Sequence, residues 1–351
     1  MKIKNFTVFA SDLNSNTGEG TLGRFFISKI FAKCKNSSIK VITPNQTFFY
    51  KGNFKEVQNN TQKNMYHKYF VPIIGAFKLR LLQKNTNIIF LNYLPLWNFL
   101  LFLILPSKTY LGPITGSNKK YKVKNFNFFI RNYFFPPFFS LSLVLIKKKF
   151  KNIIFSTNLL QSTVEKKTSN KTLKNYLFNF VYSFFDKNLK NKYKFKQNKN
   201  LILFYNKNHD TKKDINLISF INDISKEHKI SIVGDKFHNQ NLNNLGYVGK
   251  KRLELILTKT KFVISSNENL LSLFNIEAIN NGAFIIYNRK SFERSMYLKS
   301  PFLSLNFKNS SIVSFNNLIK NYKKIKIDKS FYMNVDKQKY KIELFFNKLY
   351  S

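Results

Sequence analysis

Two carboxylates stand close together in one segment of an acid-poor chain. Glu268 and Glu277 lie in SSNENLLSLFNIEAINNGAFIIYN, whereas the whole chain has 59 Lys and Arg against 17 Asp and Glu. A carboxylate can accept two hydroxyl hydrogen bonds, which suits a ribose diol or a hydroxyl pair of a sugar. Helix N-terminal amides beside Ser272 suit a phosphate. The segment could therefore hold both ends of a nucleotide sugar, although two acids on a solvated helix face would give the same pattern.

A helix between two strands would position these groups. KFVIS before the segment and AFIIY after it are typical of strands, and Leu273, Ile276 and Ile279 recur on one helical face. Gly282 stands where a glycine commonly ends a helix. Three polar residues are candidate N-caps, namely Ser266, Asn267 and Ser272.

A glycine-rich stretch, SDLNSNTGEGTLGRFF, follows the first predicted strand. Gly18, Gly20 and Gly23 allow close backbone approach, and the helix predicted after them offers free N–H groups to an anion. The letters fit a dinucleotide fingerprint, but no Asp or Glu lies about 20 residues further on, as the ribose would require. A turn without a ligand and a loop bordering a substrate stay open as alternatives. Glu19 is the candidate general base if the reaction inverts configuration.

Basic residues follow the first strand of the second half, in YNKNHDTKKD. Lys207 and Lys212 could neutralise a diphosphate as mobile point charges. His209 lies between them, and a solvated surface histidine is the favoured interpretation of it. Gly246 follows another strand end, where a plain turn is the alternative to a ligand contact.

Strands alternate with helices in both halves, which predicts an α/β protein with parallel sheets. We expect two Rossmann-like doubly wound domains facing a cleft, with ligands at the carboxyl ends of the strands. The predicted division is an acceptor-side domain over 1–185, a linker over 186–200, a nucleotide-sugar-binding domain over 201–330 and a C-terminal helix over 331–351. Within the first domain, residues 128–146 are predicted to form a helix broken at Pro136–Pro137. Residues 171–187 are predicted to form another helix.

The formal net charge is +42, which should attract phosphates, nucleic acid or an anionic membrane surface. A solvated lysine-rich surface is the alternative. The apolar run LPLWNFLLFLILP is too short to span a bilayer and is interpreted as a core helix. Residues 128–146, followed by KKKF, could lie in a membrane interface. The lone Cys34 excludes an intrachain disulfide, and no metal site is predicted.

The second half resembles a glycosyltransferase of the GT-B architecture, specifically the retaining group with an E-x7-E pattern. The matching motifs are VGD at 233–235, GYV at 246–248, SSNE at 265–268 and IEAINNG at 276–282. The resemblance implies that Glu277 holds the nucleotide ribose and that Glu268 contacts the donor sugar at the catalytic centre. Lys207 and Lys212 correspond to the family's basic pair, and NTGEG is similar to its glycine-rich loop. Eight residues separate the two glutamates here rather than seven.

Taken together, these patterns predict a metal-independent glycosyltransferase without a cofactor. It would move a sugar from a nucleotide-sugar donor to a glycan or lipid-linked acceptor in surface polysaccharide synthesis. Lys207, Lys212 and the amides near Ser272 would stabilise the leaving diphosphate. We expect a cytoplasmic protein with peripheral contact to an anionic inner membrane face and no specific nucleic-acid partner. A basic nucleic-acid-binding protein and an inactive GT-B homologue are the alternatives.

Overall fold

Short runs of β-branched and aromatic residues form two separate sheets, as the alternation of strand and helix patterns predicts. The computed structural model describes residues 5–15, 18–33, 37–54, 65–83, 86–95, 98–115, 129, 133–155, 174–177, 199–207, 215–265, 272–288, 301–308, 311–326, 340, 343–347 and 349. The chain divides into two units, Met1–Phe178 with Tyr340–Ser351, and Asn179–Lys339.

The first unit has a seven-stranded sheet. Its strands are β1 (Phe6–Phe9), β2 (Ile39–Ile42), β3 (Thr47–Phe49), β4 (Asn87–Pro95), β5 (Tyr110–Thr115), β6 (Asn152–Phe155) and β7 (Lys174–Leu177). Their order is β3-β2-β1-β4-β5-β6-β7, and every pair is parallel except β2 with β3. The strand order therefore reverses beside β1.

Among the described residues, the helices between these strands include α1 (Gly18–Lys33), α2 (Met65–Leu81), α3 (Phe99–Ile104) and α4 (Phe135–Lys149). Because parallel crossovers are right-handed, α1 lies on one side of the sheet and α2, α3 and α4 lie on the other. Phe345 and Phe346 pack on Phe26 of α1, with ring centroids 5.9 and 5.3 Å away. The C-terminal segment, helical over 343–347, thus belongs to the first unit.

The second unit has six parallel strands. They are β8 (Leu201–Asn206), β9 (Ile230–Gly234), β10 (Leu242–Gly246), β11 (Thr260–Ile264), β12 (Phe284–Asn288) and β13 (Phe302–Leu305). Their order is β10-β9-β8-β11-β12-β13, the doubly wound order of a dinucleotide-binding fold. The helices are α5 (Ile215–Ile224), α6 (Lys250–Lys259), α7 (Leu273–Asn280) and α8 (Ser311–Asn321).

Of two local predictions for the first unit, one is wrong and one is confirmed. The helix predicted over 171–187 is a strand where the structure describes it, because residues 174–177 pair with β6 as β7. Such tertiary pairing outweighs a weak local helical pattern. The break predicted at Pro136–Pro137 is confirmed: Phe129 and Tyr133 are helical, Phe134 is a turn, and α4 begins at Phe135 with both prolines in its first turn. Backbone N–H groups have no intrahelical partner in a first turn, so prolines are tolerated there and mark the start of a new helix.

The predicted linker over 186–200 lies outside the described residues except for Lys199 and Asn200. Lys199 is buried, and its ammonium donates a hydrogen bond to the carbonyl of Asn281. Among the described residues, no helix is long and apolar enough to cross a membrane.

Candidate functional site

The order of the second sheet reverses between β8 and β11. In open sheets of this kind, ligands bind outside the carboxyl ends of the strands at such a switch point. Tyr205 and Asn206 end β8, Lys207 follows them, and Ser265 follows β11. We call this edge, together with the first turn of α7, the switch-point edge.

The first turn of α7 is fixed against the ends of both central strands. Ser272 is the N-cap, and its hydroxyl accepts a hydrogen bond from the backbone N–H of Asn275 at 3.2 Å. The Asn275 side-chain amide donates to the Ser265 hydroxyl at 2.8 Å, and both residues are buried. The Phe274 ring stacks on Tyr205 with centroids 4.7 Å apart and planes 19° apart. These contacts join the helix start to β8 and to β11.

The other end of α7 is also defined. Gly282 has φ of 81°, the left-handed conformation that the predicted helix-ending glycine requires. Ile276 and Ile279 are buried as predicted, and Glu277 is half-buried in the second turn. The amide of Leu273 in the first turn precedes the intrahelical ladder, at the positive end of the helix dipole. This helix start is therefore suited to an anion.

Polar contacts extend the switch-point edge toward β9 and β10. The Asn206 side-chain amide donates to the carbonyl of Asp235 at 2.9 Å, and the Asp235 N–H donates to the carbonyl of Asn206 at 2.9 Å. The Tyr247 hydroxyl donates to the Asp235 carboxylate at 2.7 Å. This hydrogen bond, with a smaller contribution from burial, raises the pKa of Tyr247 to about 12. Tyr247 is thus a neutral hydrogen-bond donor at neutral pH.

One ammonium lies at the same edge. Lys207 is exposed, and its Nζ is 5.5 Å from the centroid of the Tyr205 ring, within cation–π range. Tyr205 therefore contacts both Lys207 and the first turn of α7. Gly246 ends β10 with φ of 66°, and the space where a side chain would stand is open.

The predicted residues of the second unit divide into two groups. The first group lies at the carboxyl ends of strands or at α7, and comprises Lys207, Gly246, Ser272 and Glu277. The second group lies outside the described residues, and comprises Glu268, Lys212 and His209. Sequence reasoning gave no role to several residues that build this edge, namely Tyr205, Asn206, Asp235, Tyr247, Ser265, Phe274 and Asn275. Three of them, Asp235, Tyr247 and Ser265, lie within the matched motifs VGD, GYV and SSNE. The available signal was an aromatic or polar residue at the end of a predicted strand or in the turn of helix after it.

The glycine-rich stretch of the first unit differs from its prediction. Helix α1 begins at Gly18, so Gly18 and Gly20 lie within the helix rather than in a loop before it. A side chain on Gly20 would overlap the carbonyl oxygens of Asp12 and Ser15, which belong to the turn after β1. The missing side chain lets this turn pack directly on the helix. Glu19 is in the first turn of α1, and its catalytic role stays a prediction.

A pocket of about 160 Å³ opens at the carboxyl ends of β1 and β2 in the first unit. Its lining comes from these strand ends and from α2, and comprises Phe9, Thr43, Pro44, Asn45, Val71, Ile74, Gly75 and Lys78. A side chain on Gly75 would overlap the Phe9 ring, so α2 approaches β1 closely. Across the described residues, no group of three or more His, Cys, Asp or Glu side chains could hold a metal ion.

No protein-family model and no curated protein matches the chain. Solved structures match it over most of its length. Anabaena HepE in complex with UDP and glucose has 11% identity and a TM-score of 0.57, covering 99% of this chain and 100% of that chain. UDP-GlcNAc 2-epimerase from Neisseria meningitidis bound to UDP-GlcNAc has 14% identity and a TM-score of 0.52, with 93% and 95% covered. The S. aureus MnaA–UDP structure has 11% identity and a TM-score of 0.53, with 92% and 91% covered.

Similarity at these identities establishes the fold alone. The chain has two Rossmann-like doubly wound α/β domains of a GT-B-like fold, which confirms the predicted fold class.

Proposed function

We propose that the chain is a GT-B glycosyltransferase that moves a sugar from a nucleotide-sugar donor to a glycan or lipid-linked acceptor in surface polysaccharide synthesis. The observation that carries the proposal is the start of α7, which is fixed at the switch point beside Lys207. It combines a helix N-terminus with a nearby ammonium, two features that favour binding of a diphosphate.

The donor would bind through its diphosphate and its ribose. The diphosphate would contact the first-turn amides of α7 and Lys207, which would stabilise the negative charge that develops on the leaving group. Glu277 would accept hydrogen bonds from the ribose hydroxyls. The same proposal includes the other residues predicted to contact the nucleotide-sugar donor, namely Glu268, Lys212, Gly18, Gly20 and Gly246.

The acceptor is assigned to the first unit. Its pocket at the ends of β1 and β2 supports this assignment, because that edge is also where a doubly wound sheet binds ligands. Thr43, Asn45 and Lys78 give the pocket hydroxyl, amide and ammonium groups that can bind sugar hydroxyls or a phosphate.

A nucleotide-sugar epimerase is the second candidate. It is favoured by the similarity in fold to solved UDP-GlcNAc 2-epimerases, which covers more than nine-tenths of this chain. A nucleic-acid-binding protein is favoured by the net charge of +42 alone. An inactive homologue would bind the nucleotide sugar and leave it unchanged.

Calorimetric titration tests the donor site. UDP and UDP-sugars come first, because similar structures hold UDP or UDP-GlcNAc; GDP, ADP and their sugars follow. Glu277→Ala should weaken binding of the preferred ligand by roughly 10- to 100-fold, since hydrogen bonds to a charged group contribute about 1.5–3 kcal/mol. Lys207→Gln should weaken it severalfold. The controls are Glu254→Ala and Lys259→Gln, which remove exposed charges of α6. A wild-type protein that binds none of these ligands, or equal losses in the controls, would contradict the proposal.

Product analysis separates the candidates. A transferase releases nucleoside diphosphate when an acceptor extract is added and extends a glycan or a lipid-linked sugar. An epimerase converts the nucleotide sugar alone into its epimer, which nuclear magnetic resonance distinguishes. Binding without either product would identify an inactive homologue.

A further inference from the structure

Helix α2 is apolar on its outward face as well as on its buried face. Phe70, Ile74, Phe77 and Leu81 follow a helical spacing of four, three and four residues, and they are 58%, 40%, 51% and 83% exposed. The opposite side of the helix is buried against β1 and β4. A surface helix normally carries polar residues on its outward face, so an apolar outward stripe indicates contact with something else.

Helix α4 repeats this pattern. The N-cap Phe134 and then Phe138, Leu141 and Val144 are exposed at a helical spacing of four, three and three residues, while the inward side of the helix is buried. The short helix α3 adds two exposed leucines, Leu100 and Leu103. Three helices of the first unit thus expose apolar side chains that do not pack against the sheet.

The three helices lie side by side. Helix α3 packs against both α2 and α4, and the Phe99 ring of α3 is 5.3 Å from the Phe138 ring of α4. Lys149, at the end of α4, donates to the carbonyl of Leu103 at 2.6 Å. Burial lowers the pKa of Lys149, and the nearby Arg80 guanidinium of α2 lowers it further. The outward stripes therefore form one continuous surface, which we call the apolar face.

Basic residues border the apolar face. Lys78 and Arg80 lie in the last turn of α2, and Lys147, Lys148 and Lys149 lie in the last turn of α4. The sequence contains no Asp or Glu between Glu56 and Glu165. Charge complementarity therefore favours an anionic partner. A second copy of the chain would place one basic border against another, which like-charge repulsion opposes.

We propose that the apolar face docks on an anionic lipid bilayer, with its phenylalanine and leucine side chains at the acyl boundary and its lysines among the headgroups. An apolar face beside a cluster of lysines is the composition that binds such interfaces. The sequence pattern alone assigned this role to residues 128–146, whereas the structure adds α2 and α3 to the same surface. The membrane contact needs no nucleotide, and of its residues Ile74 and Lys78 also line the pocket proposed for the acceptor.

Vesicle co-sedimentation without nucleotide tests the proposal. Wild-type protein should bind vesicles of phosphatidylcholine with phosphatidylglycerol far more tightly than vesicles of phosphatidylcholine alone, and added salt should weaken that binding. Lys147→Gln with Lys148→Gln should lower the partition coefficient roughly 30-fold, since each lysine near an anionic surface contributes about fivefold. Lys259→Gln with Lys320→Gln, at exposed helix ends of the second unit, is the matched control and should change nothing.

A second variant tests the apolar contribution. A fourfold variant replaces exposed apolar side chains of α2 and α4 and should abolish binding to anionic vesicles. Its substitutions are Phe77→Gln, Leu81→Gln, Leu141→Gln and Val144→Gln. Leu255→Gln with Val313→Gln, at 66% and 64% exposure in the second unit, is the control and should bind as wild type does. If the fourfold variant fails to fold, two smaller variants still test membrane binding. They are Phe77→Gln with Leu81→Gln on α2, and Lys147→Gln with Lys148→Gln on α4. Wild-type protein that ignores anionic vesicles, or variants that bind undiminished, would overturn the proposal. So would a wild-type dimer in light scattering that the apolar variant converts to a monomer.

Discussion

Replacing Gly20 with alanine should destabilise the first unit, whereas the same change at Gly23 should stabilise it slightly. Both glycines lie in α1, so helix propensity affects them in the same direction. They differ in what a new methyl group would meet. At Gly20 it would overlap the carbonyl oxygens of Asp12 and Ser15 and lie 2.8 Å from the Ser15 hydroxyl. At Gly23 the nearest atom would be a methyl of Leu13 at 3.4 Å, an ordinary contact.

The size of the effect at Gly20 follows from what must move. Backbone carbonyls cannot rotate away, so the turn after β1 must shift and strain its Ser15 N–H to Asp12 carbonyl bond of 2.9 Å. Arg24 is also affected, because its guanidinium donates to the carbonyls of Leu13 and Ser15. Overpacking costs about 1–3 kcal/mol and a lost hydrogen bond about 1 kcal/mol, against a gain of about 1 kcal/mol from helix propensity. We expect a net loss of roughly 1–3 kcal/mol in the free energy of unfolding.

Gly23→Ala keeps the propensity gain without the overlap. It should therefore raise the free energy of unfolding by about 0.5–1 kcal/mol. Urea unfolding measures the difference, followed by the fluorescence of the single Trp97, which belongs to the first unit. Equal stability of the two variants would refute the described packing of the turn on α1. A Gly20→Ala protein of normal stability that no longer bound nucleotide would instead support the ligand role predicted for this glycine.

Three further predictions concern the second unit. Ser272→Ala should lower stability by about 1 kcal/mol through loss of the N-cap and Ser272→Asp should largely restore it, as thermal unfolding would register; equal losses would contradict the cap. Asn275→Ala and Ser265→Ala should be non-additive in a double-mutant cycle of urea unfolding, because their buried side chains share a hydrogen bond; strict additivity would show that the bond is absent. Tyr247 should ionise later than an ordinary tyrosine, so its stabilising bond to Asp235 is fully present below pH 10 and is lost as the pH rises through about 12. Tyr247→Phe should remove a late step of the ultraviolet tyrosinate titration, near pH 12, and an unchanged titration would exclude this assignment.

Hydrophobic periodicity predicted most of the second unit. The strands β8, β9, β11 and β12 are buried runs of branched and aromatic residues that any strand pattern would detect. Strand β10, with the sequence LNNLG, lies at the sheet edge and has one buried residue, Leu242, so its asparagines resemble those of a loop. Edge strands need less apolar surface, and their existence depends on the neighbouring strand more than on their own residues.

The site was predictable where its contacts are local and not where they depend on topology. The N-cap role of Ser272 and the helix-ending Gly282 are set within a few residues of sequence. Gly282 was predicted, and Ser272 was one of three predicted candidates for the cap. The stacking of Phe274 on Tyr205 follows from the neighbouring positions of β8 and β11, which no spacing in the sequence specifies. Only the strand order brings these rings together.

The eight-residue separation of the two glutamates can be interpreted from the structure of α7. The helix is fixed at its start by the Ser272 cap and by the Asn275–Ser265 bond, and at its end by Gly282. Glu277 projects from a backbone constrained on both sides, so its position does not depend on the length of chain before Ser272. A residue added between Glu268 and Ser272 therefore leaves the ribose contact proposed for Glu277 intact. The same addition changes the number of residues between Glu268 and the start of α7. Substitutions at the two glutamates should therefore differ in their effect on binding of the nucleotide sugar.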